Sequence, residues 1–356
     1  MLALAERLRD WLIPLLLLLG GAVALLLVVV IAQRVARDWR ASRHARDRAR
    51  YAPLLRDALE GDQASQARAM TALGRAARRH RAVVADALVE PLRVVRGNTV
   101  DRARMVARDL GLLAGWRTSL ARGSWAVRSR AALALGLVRD AEAVPALVVL
   151  LDDASDQVRA AAADALGMIG DTAAIEALLG RLGQQSRHQQ ARLVEALRRI
   201  GPPVTKAIVG RGAANAEERI LLAEVLAMVG GPGARATLLE WTSDEDARVR
   251  AGAWRAIGAI GVGDRAAYHA LRALGDADPR VRAHAAQALG RTGRADVVPY
   301  LAAHLDDEWE VAAQGARALA WLGRPGVLAL RAREASGLGG HGLELARHFL
   351  WEHERP

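Results

Sequence analysis

The chain has 356 residues and no cysteine, which excludes a disulfide scaffold and a thiolate metal site and suits a reducing compartment. Hydrophobic residues make up 52% but aromatics only 4%, so packing falls to Ala, Leu and Val, a mix that favours close-packed helices. The net charge of +11 sits early: residues 1–50 carry 9 basic and 4 acidic groups, 51–150 carry 16 and 9, and 151–356 carry 25 and 26, which argues against a nucleic-acid stripe along the body of the fold.

After a short tail (1–10), residues 11–32 read WLIPLLLLLGGAVALLLVVVIA, 22 residues without a charge, 15 of them Leu, Ile or Val. As an α-helix this run is about 33 Å long, enough to cross a hydrocarbon core of about 30 Å. A cleaved secretory signal is the competing reading, but its A-x-A site, Ala22-Val23-Ala24, falls inside the apolar run instead of beyond it. One uncleaved transmembrane helix is therefore expected. Before it, Glu6, Arg7, Arg9 and Asp10 cancel; after it, seven arginines between Arg34 and Arg50 face only Asp38 and Asp47. That bias places the N-terminus outside and residues 34–356 in the cytoplasm, at a bacterial inner membrane. Residues 33–55 read as a basic juxtamembrane helix, with Arg34, Arg37, Arg40 and Arg43 at near-helical spacing for anionic headgroups.

From residue 56 to about 340 the sequence repeats. Ser124–Leu151, Ser155–Leu182 and Asp278–Leu305 align, with Val-Arg pairs at 127–128, 158–159, 249–250 and 281–282. Each unit predicts two helices. In the first, Val158, Ala161, Ala162, Ala165, Leu166 and Ile169 form one apolar stripe. Asp278-Pro279 is a helix start, Ser243 with Asp246 resembles a capping box, and Gly170, Gly230 and Gly261 stand where a left-handed C-cap belongs. Shorter second helices follow at Val144–Leu151, Ile175–Leu182, Ala266–Leu274 and Val297–Leu305, and residues 341–356 read as a capping helix and tail.

The recurring [S/D]-x-x-V-R…A-L-G…I-G…A-V-P-x-L pattern, at a spacing of about 31, resembles the HEAT-like repeats of the phycobilisome-lyase type. The resemblance implies an all-α, right-handed α-solenoid whose second helices line the concave face. It also implies that Arg159, Arg250 and Arg282 pair with acids such as Asp156, Asp246 and Asp278 in their own or adjacent repeats. One unit cannot bury its stripe alone, so neighbours must stack.

Some proteins with such repeats are enzymes, the HEAT-like deoxyhypusine hydroxylases holding iron with repeated His-Glu pairs. Here the one His-Glu is His353-Glu354, and the nine histidines show no metal spacing. No phosphate-cradling loop or nucleophile elbow occurs. The paired acids Asp152-Asp153 and Asp306-Asp307 fall at matching places and read as repeat punctuation. No catalytic, metal or cofactor residue is expected. What remains is a partner surface on the second helices: Arg181, Tyr268, His269, Arg272, Tyr300 and His304. The expectation is a membrane-tethered scaffold binding a protein partner at the cytoplasmic face, in a setting that suits an envelope assembly. An enzyme or lyase/chaperone-type factor and a nucleic-acid-binding repeat protein are the alternatives.

Overall fold

The computed structural model describes residues 25–31, 34, 46, 49–94, 97–184, 186–211, 213, 215–337 and 339–353. All regular structure among them is helical. The chain divides into two compact units, Met1–Gly115 and Trp116–Pro356.

In the first unit, helix α1 covers 49–60 and α2 runs Gln63–Val89. Asp62 starts α2 by accepting the Ser65 backbone N–H at 2.8 Å, which satisfies one of the orphan donors of the first turn. The helix kinks at His80, where φ is −131° and ψ is 43°. A 3-10 turn, Pro91–Arg93, leads towards α3 (Asn98–Asp109), and α4 (Leu112–Ala121) begins as the unit ends. Leu73, Val84, Leu88, Ala103 and Leu112 form the core of this unit.

The second unit is a solenoid of helix pairs. In order they are α5 (Trp125–Leu137) with α6 (Val144–Leu150), α7 (Asp156–Ile169) with α8 (Thr172–Arg181), and α9 (Arg187–Ile200) with α10 (Pro202–Arg211). Then come α11 (Ala216–Val229) with α12 (Ala234–Trp241), α13 (Ala247–Ile260) with α14 (Asp264–Ala273), α15 (Pro279–Gly290) with α16 (Val298–Ala303), and α17 (Trp309–Trp321) with α18 (Arg324–Ala335). Helix α19 (His341–His353) packs on α17 and α18. First helices stack on first helices, and the apolar stripe is the reason: Val158, Ala162, Ala165 and Leu166 are fully buried, while Ala161 and Ile169 at its edges are only half-buried. Asp278 caps α15 through the Arg280 N–H at 2.9 Å, with Pro279 at the first helical position. Gly170 ends α7 in the left-handed region at φ 64°.

The A-L-G element sets how closely successive first helices approach. A Cβ on Gly136 would lie 2.6 Å from the Ala165 Cα, one on Gly167 3.0 Å from the Ala196 Cα, and one on Gly290 2.6 Å from the Ala318 Cα. Each of these glycines closes one A-L-G, or its counterpart, and faces the alanine that opens the next. At the following step of the series Arg198 replaces the glycine and Val225 the alanine. Both side chains are larger, and α9 and α11 are the most sparsely packed of the successive first helices.

Two expectations fall largely outside the described residues, and one needs correction. The transmembrane helix over 11–32 is not found: among the described residues no helix is long and apolar enough to cross a membrane, and residues 11–24 and 32 lie outside those described. Of the proposed headgroup arginines, Arg34 is helical and exposed, while Arg37, Arg40 and Arg43 lie outside the described residues. The cap of α13 is Asp246 itself, which accepts the Arg248 N–H at 2.8 Å, so Ser243 opens no capping box there.

Candidate interaction surface

A partner surface in an array this rich in charge is found by asking which charges the fold already uses. The Val-Arg arginines, and Arg219 at the matching place of another repeat, are used. Arg128 grips Asp153 with two hydrogen bonds of 2.8 Å, Arg250 grips Asp276 at 2.8 and 2.9 Å, Arg282 grips Asp307 at 2.7 and 2.9 Å, and Arg219 pairs with Asp244 at 2.8 Å. Each aspartate follows the second helix of the same repeat, 25 or 26 residues on. The same arginines reach back to the preceding repeat, Arg250 donating to the Asp244 carbonyl and Arg282 to the Asp276 carbonyl, both at 2.9 Å. The result is a ladder in which forked, charge-assisted bonds tie the two helices of a repeat together and bonds to backbone carbonyls reach the repeat before.

This overturns part of the implied pairing. Asp246 and Asp278 do not bind Arg250 and Arg282; they cap their helices and pair with Arg248 and Arg280, each at 2.7 Å. Arg159 does pair with Asp156, as implied. The ladder also has a gap. Gln184 stands 25 residues after Arg159, where an aspartate would complete the rung, and Gln190 takes the arginine's place in the next repeat, donating to the Leu182 carbonyl at 3.1 Å.

Three of the ladder carboxylates, Asp153, Asp276 and Asp307, are held ionised. Hydrogen bonds from Arg282 bring the Asp307 carboxyl down to about 2 against the opposing effect of burial, helped by the Glu308 N–H and His304. Arg128 lowers Asp153 in the same way. For Asp276 burial is the largest influence and works against ionisation, but Arg250 and the Asp278 N–H together outweigh it and the carboxyl stays below its ordinary value. The paired acids are structural on both sides: Asp152 pairs with Arg181, and Asp306 with Arg333 at 2.6 Å.

The six candidate residues now separate. Arg181 is tied to Asp152, and His304 Nδ1 lies 3.0 Å from Asp307 Oδ2, so both are absorbed by the array. His269 is half-buried with its ring edge-on to Tyr268, centroids 6.1 Å apart. Tyr268 is 66% exposed and Tyr300 53%, and Arg272 is exposed and makes no ion pair with any described residue. Tyr268 and Arg272 are one turn apart on α14, and Tyr300 is on α16, the next second helix. The structure thus leaves an aromatic–cation set on two successive helices and does not bring Arg181, three second helices away, to it.

Sequence reasoning missed other exposed side chains. Val149 on α6 and Leu328 on α18 extend the apolar exposure of the second helices, 70% and 55% exposed. Trp309 and Trp321 stand on α17, the latter under the Arg291 guanidinium at 5.3 Å. A shallow pocket opens between the starts of α7 and α9, lined by Leu151, Asp156, Arg159, His188 and Arg192 among others. Its Asp156–Arg159 pair is mutually neutralising, and no nucleophile and base share it. Among the described residues no three His, Asp or Glu gather as a metal ion requires.

A family model described as HEAT repeats matches residues 113–199, 201–276 and 269–330. The first break between matches falls at residue 200, the last residue of α9 and so inside the α9–α10 repeat. Similar solved structures include an engineered protein (21% identity, covering 86% of this chain and 98% of that one, TM-score 0.33). They also include the CpcE–CpcF complex of phycocyanin lyase from Nostoc sp. PCC7120 (18%, 68% and 94%, TM-score 0.30) and human deoxyhypusine hydroxylase with glycerol (24%, 76% and 96%, TM-score 0.29). At these identities and TM-scores no binding or catalytic role passes from them to this chain. No curated protein matches the sequence.

Proposed function

The chain belongs to the HEAT-repeat family, and from that premise we propose that it is a membrane-tethered adaptor, rather than an enzyme, that holds a protein partner at the cytoplasmic face of a bacterial inner membrane. The observation that carries the reading is the set Tyr268, Arg272 and Tyr300. In an array whose ladder arginines are consumed internally, these large side chains stand exposed on successive second helices, and Tyr and Arg are the residues that most often anchor protein interfaces.

Tethering rests on the N-terminal apolar run. Its described part, Leu25 to Ile31, is helical, and every one of these seven residues is exposed, from 43% to 66%. A helix that is apolar on all sides and covered by no protein needs another apolar solvent, and the 22-residue run around it has the length of a bilayer span. The arginine bias after the run, with Arg34, Arg37, Arg40 and Arg43 at headgroup level, sets the orientation.

The test is a Tyr268→Ala/Arg272→Ala/Tyr300→Ala variant of the full chain in its membrane. Truncating three interface anchors should weaken capture of the partner by about a hundredfold or more while leaving the helical circular dichroism unchanged. Equal capture by a folded variant would remove these residues from the interface. An alkaline phosphatase fusion after Pro356 should be inactive; an active one would reverse the topology.

A further inference from the structure

Helix α2 carries cations that the fold does not use. From Gln63 to Ala85 it has five arginines and His80 and not one acid, the nearest being Asp62 before it and Asp86 near its end. Arg68, Arg75, Arg78 and Arg79 lie within one face of the straight segment before the kink at His80, and all four are exposed. The opposite face holds the buried Ala69, Leu73 and Ala77, which fixes the helix with its arginines outward. Arg81 is spent on the Gly111 carbonyl, and Arg68 bonds the Ala64 carbonyl with Asp62 in range. Arg75, Arg78 and Arg79 make no ion pair with any described residue. The contrast with the ladder arginines of the second unit is the informative point.

We propose that the exposed face of α2 bearing Arg75, Arg78 and Arg79 docks on the anionic headgroups of the leaflet next to the apolar run. Two observations choose the lipid surface over a nucleic acid. The chain's excess positive charge is confined to residues 1–150, the part that follows the apolar run, while 151–356 is nearly neutral. And α2 begins about thirty residues after that run, so a tether keeps this face near the leaflet and makes docking an intramolecular step. This inference rests on the tethered reading above and adds a second contact, distinct from Arg34, Arg37, Arg40 and Arg43. Each arginine near an anionic surface is worth about fivefold in occupancy, so the three together are worth about a hundredfold.

The absence of native cysteine allows a clean probe. The full chain with Thr71→Cys, an exposed position on the same face, is labelled with a fluorophore and reconstituted in vesicles of phosphatidylcholine alone or with about a third phosphatidylglycerol. A quencher at headgroup depth should act on the label only in the anionic vesicles. It should lose its effect at about 1 M salt, where screening acts within about 3 Å. The R75Q/R78Q/R79Q variant should abolish the quenching, and R75K/R78K/R79K should keep it. Equal quenching in both lipids, quenching that survives the glutamine changes, or a response of the label to added RNA instead of anionic vesicles would overturn the proposal. Flotation with phosphatidylcholine vesicles reads the anchor separately. A chain that fails to float there yet binds anionic vesicles through these three arginines would sink the anchor and keep the α2 contact.

Discussion

Gly136→Ala should destabilise this protein, although Gly136 lies inside a helix and alanine is the better helix former. The added methyl would meet the Ala165 Cα at 2.6 Å, its Cβ at 2.8 Å and its carbonyl oxygen at 3.3 Å. Carbon atoms rest about 3.5–4.0 Å apart, so α5 and α7 must separate by about 1 Å along their contact. Overpacking of this kind costs about 1–3 kcal/mol, against a gain of about 1 kcal/mol from removing a helical glycine. The net expectation is a loss of up to about 2 kcal/mol. Gly252, buried inside α13, supplies the control, because a Cβ there meets nothing within 4 Å. Gly252→Ala keeps the helix gain and should stabilise by about 0.5–1 kcal/mol. Urea midpoints of the two variants and the parent, followed by circular dichroism, should therefore bracket the parent from opposite sides. If Gly136→Ala stabilises as Gly252→Ala does, the close approach of the A-L-G elements is wrong.

The ladder should show in the pH dependence. Asp307 titrates at about 2 in the folded chain and near 3.8 when unfolded, so its stabilisation is full above about pH 4 and is lost as the pH falls through about 2. Asp307→Asn should remove about 2 kcal/mol at neutral pH and flatten the acid limb of the stability curve measured by urea titration. His284 is pushed below its ordinary value by burial, so it favours folding fully above about pH 6.5 and progressively less below. His284→Gln should reduce the loss of stability between about pH 6.5 and 5 in the same titration. At the sparse step between α9 and α11, hydrogen exchange should show α5–α9 and α11–α19 opening as separate units. Arg198→Gly with Val225→Ala should merge them; one cooperative unit in the parent chain would contradict the gap.

The repeat, its period and the identity of first and second helices were all legible, because the Val-Arg, A-L-G and glycine-cap positions recur at fixed spacing. The partners of the arginines were not. Asp246 and Asp278 sit four residues before Arg250 and Arg282 in the chain, yet the forked bonds go to Asp276 and Asp307, which only the return of the second helix brings near. The same geometry hid the fate of Arg181, whose partner Asp152 stands 29 residues earlier. Exposure separated Tyr268 from His269, adjacent residues that the sequence treats alike. The ladder gap at Gln184 and Gln190 and the bulky pair Arg198 and Val225 become meaningful only once the register of stacking is known.

The central claim is that the second helices α14 and α16 meet a protein partner at the membrane. A photo-crosslinking residue placed at Tyr268 or Tyr300 in the full-length chain, in intact cells, tests it most directly. One protein adduct shared by both positions is expected, absent when the crosslinker replaces the exposed Met228 on the first helix α11. Adducts from Met228 with none from Tyr268 and Tyr300 would place the partner on the other row of helices and contradict the account.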